Sequence, residues 1–303
     1  MWVLLALGAG LLQSARNGFA RSLAGSISPV LNSWARFAFN LPFSTALFSI
    51  LVLARGAPST SPRFFALCFA TALTQLLGSV SLIAAFRHAS FAQTIVLHKL
   101  EVVFTAVIGA LLFSEAPTGM AWAGILLSAA GVLAMPPRPL RFRSGRFRFG
   151  AGEGLAIAAG FLLSIVGFFL KASVEELTLL NPWVGRGRFL VAAHTLFHVT
   201  WMEVSMLTLW LLRPRPSELA LVPRHWPRML LQGSFAFSAS LGWFWAYALT
   251  FVAYVKAVGQ VESVAAVLYS LLIWKETEVS RQIPGMALTL AGIVLVLLGG
   301  RSS

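Results

Sequence analysis

"LEVVFTAVIGALLFSEAPTGMAWAGILLSAAGVL", Leu100 to Leu133, and "VESVAAVLYSLLIWKETEVSRQIPGMALTLAGIVL", Val261 to Leu295, decide how this chain is read. At a shift of 161 (262 minus 101), without a gap, Glu101 meets Glu262 and Glu115 meets Glu276. The same shift aligns Gly124 with Gly285, Gly131 with Gly292 and Ala130 with Ala291. Five polar or small positions in one register are hard to obtain from apolar composition alone, so the two segments read as copies of one unit. Weaker matches lie earlier: "ARF" at Ala35–Phe37 against "GRF" at Gly187–Phe189, and Arg21 near the counterpart of Lys171.

The rest of the chain says what kind of unit is repeated. Apolar residues come in blocks of roughly 20, the length that crosses a hydrocarbon core of about 30 Å as a helix. Of 303 residues, 58% are hydrophobic and 11% charged, against about 25% charged in soluble domains. The mean hydropathy is +0.81. A β-barrel needs short segments of alternating polarity, which are absent. The fold class is therefore an all-α integral membrane protein. The predicted spans are Trp2–Leu23, Pro29–Leu53, Phe64–Phe86, Phe91–Phe113, Gly119–Met135, Gly152–Ala172, Trp183–Leu212, Trp226–Leu249, Phe251–Trp274 and Gln282–Leu298. These make two five-helix units, residues 1–137 and 152–303, joined by a basic linker at 138–151. "MWVLLALGAGLLQ" has no basic residue before its apolar run and reads as a retained first helix.

An odd number of crossings per unit makes the second copy enter the membrane from the opposite side, giving inverted repeats. A site at their interface opens to either side when the halves exchange conformations. At this point the chain resembles the EamA-like branch of the drug/metabolite transporter (DMT) superfamily. The resemblance rests on the paired halves, on the two motifs quoted above, and on an arginine near the start of each half's second helix, Arg36 and Arg188. It covers nearly the whole chain and implies a ten-helix transporter, often an exporter, with a central cavity. It does not imply a substrate. "QSARNGFAR" in the first helix is more cationic than that superfamily leads one to expect.

The net charge is +13. In a membrane chain this points to topology and anionic lipid rather than nucleic acid. Arg21, Arg87, the linker arginines from Arg138 to Arg148, Arg213, Arg215, Arg224, Arg228, Lys275 and Arg281 fall on one side; Arg55, Arg63, Lys171, Arg186 and Arg301 fall on the other. The richer side is expected in the cytoplasm, with both termini outside a bacterial inner membrane. A lone cysteine, Cys68, excludes an intrachain disulfide and a thiolate cluster. No GxxxxGK[ST] loop is present, and no cofactor or metal is expected.

Ionisable groups inside an apolar span are costly, by about 2.5–3.5 kcal/mol on insertion scales, and usually face a bundle interior. His98, Glu101 and Thr105 share one helical face, whereas Lys99 points elsewhere, to a neighbouring helix or an interface. Gln13, Arg16 and Asn17 form a second polar face, and Arg16 is suited to fork onto a carboxylate or phosphate. A structural pair of Arg16 with Glu101, Glu203 or Glu262 is the alternative. Lys256 and Gln260 are further cavity candidates, with snorkelling the other reading of Lys256. Trp243 and Tyr247 stand one turn apart, as a stacking surface for solute or as an interfacial belt, the belt being preferred. His98, Glu101 and Glu262 are the proton-coupling candidates. Of the two glutamates, Glu101 is expected to couple and Glu262 to brace the repeat interface. His194 and His198 have metal-ligand spacing, but Glu203 projects from nearly the opposite face, so polar contact is favoured over a metal. Arg36 and Arg188 are expected at headgroups, and Glu115 and Glu276 at helix N-termini.

The sequence thus predicts a non-enzymatic secondary transporter, exporting small polar or amphipathic metabolites such as amino acids by alternating access. Its partners are a small-molecule substrate and anionic lipids, and a homodimer is compatible with the sequence. The alternatives are an organic-anion or phosphorylated-solute exchanger, and a non-transporting membrane enzyme or accessory subunit built on His194, His198 and Glu203.

Overall fold

The structure is a computed structural model and describes residues 1–88, 94, 97–134, 150–184, 188–213, 216–274 and 283–300. Most of the basic linker, together with Arg186, Arg215, Lys275, Glu276, Arg281 and Arg301, lies outside the described residues. Among the described residues the secondary structure is helical. The helices are α1 (Trp2–Leu23), α2 (Pro29–Ala38), α3 (Leu41–Arg55), α4 (Pro62–His88), α5 (Glu101–Leu112) and α6 (Gly119–Leu133). They continue as α7 (Ala151–Leu180), α8 (Phe189–Leu212), α9 (Val222–Tyr247), α10 (Val252–Val258), α11 (Val261–Trp274) and α12 (Ile283–Gly299). Short 3₁₀ turns occupy Pro182–Val184 and Pro216–Leu221.

Among the described residues four stretches are long and apolar enough to cross a membrane: Pro29–Arg55, Pro62–His88, Ala151–Leu180 and Phe189–Leu212. α5, α6 and α12 are shorter apolar helices. Large apolar side chains stand on the outside of the bundle, Leu53 at 87% and Leu111 and Leu179 at 77% exposure. A soluble monomer does not display so much contiguous apolar surface. Polar groups are turned inward instead: Asn32, Ser33, Thr71, Thr105, Ser128, Ser164 and Thr289 are fully buried.

Helix ends follow local chemistry. Ser28 caps α2 by accepting from the Leu31 amide at 3.1 Å, with Pro29 at the first helical position. Thr118 caps α6, accepting from the Ala121 amide at 3.2 Å. Several spans differ from expectation. The span from Pro29 is two helices, broken at Phe39–Asn40 ahead of Pro42. The seventh begins at Phe189 after the 3₁₀ turn rather than at Trp183. α7 runs eight residues past Ala172 to Leu180. The ninth is interrupted, α10 ending at Val258 and α11 starting at Val261.

The helices of the two quoted segments pack on each other antiparallel. A β-carbon at Gly124 would lie 2.6 Å from the Gly292 carbonyl oxygen, and one at Gly131 would lie 2.7 Å from that of Gly285. Between these contacts the Thr289 hydroxyl donates to the Ser128 carbonyl at 3.5 Å, and these two residues are themselves 161 apart. Early residues of α6 therefore meet late residues of α12 and the reverse, as in a self-complementary contact.

Candidate functional site

Two helix interruptions build the centre of the molecule. After His98 the chain turns through Lys99 and Leu100 before α5, and after Val258 it turns through Gly259 and Gln260 before α11. Both turns use tight bonds three residues back. The Val102 amide donates to the Lys99 carbonyl at 3.3 Å, and the Ser263 amide to the Gln260 carbonyl at 2.9 Å. These bonds occupy equivalent places under the 161-residue shift. Each interruption presses on a glycine of a neighbouring helix. A β-carbon at Gly160 would stand 2.7 Å from the His98 carbonyl oxygen, and one at Gly10 would stand 3.0 Å from that of Gly259.

A new helix begins after each break, and each carries a glutamate in its first turn: Glu101 in α5 and Glu262 in α11. The unpaired amides at a helix start favour negative charge there. Buried carboxylates also need cations or donors, and these come crosswise. Lys256 of the second half donates to Glu101 Oε2 at 3.3 Å. Lys99 of the first half pairs with Glu262 Oε2 and reaches Glu101 Oε1 at 3.7 Å. His98 Nε2 lies 3.8 Å from Glu101 Oε2. Glu262 also accepts from Gln13 Nε2 at 2.8 Å and Asn17 Nδ2 at 2.6 Å, which ties α1 to α11.

Beside this cluster lies a cavity of about 70 Å³, whose polar wall includes Gln13, Arg16, Arg36, Gln75, His98 and Glu101. Lys256, Trp243 and Tyr247 face it as well. Trp243 and Tyr247 stack at 5.9 Å between centroids, and Trp243 Nε1 donates to Gln13 Oε1 at 3.0 Å. The preferred belt reading of these two aromatics is therefore corrected: the Gln13 bond turns Trp243 inward, and Tyr247 is buried. Lys256 does not snorkel, because its ammonium is held by Glu101 and by the Leu163 carbonyl at 3.2 Å. Lys99 does not reach an interface either, being buried against both glutamates.

Other expected residues fall beside the cavity rather than on it. Asn17 stands between Arg16 and Glu262, receiving the guanidinium on Oδ1 at 2.8 Å from Nη2. Gln260 turns towards α6 and donates to Ser128 Oγ at 3.4 Å. Among the described residues Arg16 has no carboxylate within ion-pair distance, so the structural pair considered for it is not formed here.

Arg36 is a second correction. Expected at headgroups, it lines the cavity, donating from Nη1 to Ser79 Oγ at 2.7 Å with its guanidinium 4.6 Å over Phe37. Arg188 instead donates to the Ala248 carbonyl at 2.7 Å, tying the start of α8 to the C-terminal end of α9. Glu115 does more than face a helix start. It pairs with Lys171 and accepts from the Val252 amide at 2.8 Å, joining the two halves. Gln75 and Ser79 were not anticipated, although Thr71, Gln75 and Ser79 recur every fourth residue along an apolar helix.

His194 and His198 bring Nε2 atoms within 3.2 Å of each other among Phe48, Phe64 and Phe197. No group of three His, Cys, Asp or Glu suited to a metal occurs among the described residues.

Apolar helices around a buried polar centre define an integral membrane protein. Residues 1–135 match the EamA-like transporter family. The matched segment is less than half of the chain, and it shows what the first half is similar to. One crystal structure of a protein resembles 99% of this chain and 98% of its own, with a TM-score of 0.71 and 17% identity. At that identity the likeness speaks for the fold alone, over nearly the whole chain. No curated protein matches the chain.

Proposed function

We propose that the chain is a secondary transporter working by alternating access, built of ten crossings in two inverted five-helix repeats. The observation that carries this reading is the crosswise cluster at the two helix interruptions. Lys99 of the first half binds Glu262 of the second, and Lys256 of the second binds Glu101 of the first. A solute in the adjoining cavity touches both halves, so it has a different contact set whenever they move. Interrupted helices at a repeat interface are the usual setting for such a site. The antiparallel contact centred on Ser128 and Thr289 supports the inverted arrangement.

The solutes are small polar or amphipathic metabolites, amino acids among them, moved outward across a bacterial inner membrane without covalent chemistry. Glu101, in contact with His98, Lys99 and Lys256, is the proposed proton-coupling group. The test is counterflow in proteoliposomes containing the full chain. Vesicles loaded with one unlabelled solute from a panel of amino acids and organic acids should accumulate the labelled form transiently and saturably. Labelled solute entering at the rate of protein-free vesicles, for every member of the panel, overturns the reading.

A further inference from the structure

We propose that the central cavity binds a small monocarboxylate with an apolar body, its carboxylate clamped between Arg16 and Arg36, and selects it over the matching zwitterion. This rests on the transport reading and narrows its solutes from amino acids to monocarboxylates that lack the ammonium. The first support is the state of the two guanidiniums. Arg16 is 5% exposed and spends Nε and Nη2 on one acceptor, Asn17 Oδ1, at 3.2 and 2.8 Å. The amide of Asn17 is held by Glu262, so it aims Arg16 rather than neutralising it. Arg36 has one side-chain bond, to the neutral Ser79 hydroxyl, while its Nε is buried without a partner. Among the described residues neither arginine has a carboxylate within ion-pair distance, and both face one cavity.

The second support is the charge balance. Glu101 and Glu262 are engaged by Lys256 and Lys99. Glu203 is the remaining carboxylate close enough to Arg36 to attract it, and it does not line the cavity. Among the described residues the two lysines of the cluster thus have carboxylate partners, and the two guanidiniums do not. One anion placed between the two guanidiniums gives both a partner. Buried charges left unpaired are costly, and two guanidinium forks are suited to share one carboxylate.

The third support concerns the rest of the ligand. Among the described residues the carboxylate on the cavity wall is Glu101, which already meets Lys256, Lys99 and His98, so no free carboxylate is left there to pair with an ammonium. Leu163, Val166 and Phe244, with the stacked Trp243 and Tyr247, offer an apolar surface instead.

The experiment compares three probes with one phenylethyl body: 3-phenylpropionate, phenylalanine and phenethylamine. Binding to the detergent-purified full chain is read by tryptophan fluorescence and calorimetry at one neutral pH. Phenylpropionate should bind at least about tenfold more tightly than either of the others. Replacing Arg36 by Gln should weaken it by roughly ten- to hundredfold, the range for losing a hydrogen bond to a charged group. If Arg36→Gln does not fold, the comparison of probes on the unaltered protein decides. Equal or tighter binding of phenylalanine or phenethylamine, or no binding of phenylpropionate at millimolar concentration, overturns the clamp. Counterflow separates the two claims. Phenylalanine exchanged without phenylpropionate would sink the carboxylate and leave transport standing. Phenylpropionate bound with no exchange of any solute would leave the clamp standing and sink transport.

Discussion

Glu262 accepts from Gln13, Asn17 and Lys99 together, so its role is distinguishable from that of Glu101. Removing one member of a buried ion pair typically costs about 3–5 kcal/mol, because the other charge is stranded. Lys99→Met is expected to destabilise the protein within that range. Adding Glu262→Gln should recover part of the loss, since the stranded charge is gone while an amide still meets Gln13 and Asn17. Melting in detergent checks this, and a double variant less stable than Lys99→Met alone would refute it. For Glu101→Gln the expected effect is on transport: the pH profile flattens, measured as initial rate against pH beside the parent. An unchanged profile would make the carboxylate structural. The polar face of α1 and the pairing of His98 with Glu101 were legible, because charge within an apolar run has few places to go. The place of Arg36 was not. Two turns into an apolar span, an arginine looks like a headgroup anchor, and only the packing of α2, α4 and α8 turns it inward.

At the scale of elements, the glycines of the two quoted segments were legible as packing points, and the structure gives them a mechanical meaning. A β-carbon at Gly131 would come within 2.4 Å of the Thr289 amide nitrogen, and one at Gly292 within 2.4 Å of the Ser128 amide nitrogen. Backbone cannot swing aside as a long side chain does, so Gly131→Ala and Gly292→Ala should each cost about 1–3 kcal/mol by overpacking. Gly8, inside α1, has nothing within 4 Å of a β-carbon. Gly8→Ala should be neutral or stabilising by up to about 1 kcal/mol, since alanine is the better helix former. Equal melting temperatures for all three variants would reject the antiparallel contact as the cause. The helix breaks were much less visible. No proline marks either one, and Gly259 is the lone local hint. What sustains them is tertiary: first-turn carboxylates satisfied by side chains from other helices, which a reading of periodicity does not see.

At the scale of the whole molecule, the ends of the chain bear on how it sits in a membrane. Trp2 packs in the cluster that contains Tyr254, and a β-carbon at Gly300 would lie 3.2 Å from the Tyr254 ring. Both ends of the described chain therefore lie at one end of the bundle, as the ten crossings proposed above would place them. The same topology assigns to that end Ser59, whose amide donates to Asn181 Oδ1 at 2.7 Å, and Arg63, 3.5 Å from Glu176. It is the end poorer in basic residues. In the topology of ten crossings proposed above, Arg21, Arg87, Arg213, Arg224 and Arg228 belong to the opposite side. Cationic loops are retained in the cytoplasm, so both termini are expected outside. A fluorescent protein that matures only in the cytoplasm, fused after Ser303, should stay dark. A phosphatase that folds only outside, fused at the same point, should be active. The two reporters respond in opposite senses, so a fusion that is merely degraded gives neither signal and is not mistaken for either orientation. A bright fluorescent fusion with an inactive phosphatase would reverse the assignment, and with it the side from which each half opens to the Arg16–Arg36 cavity.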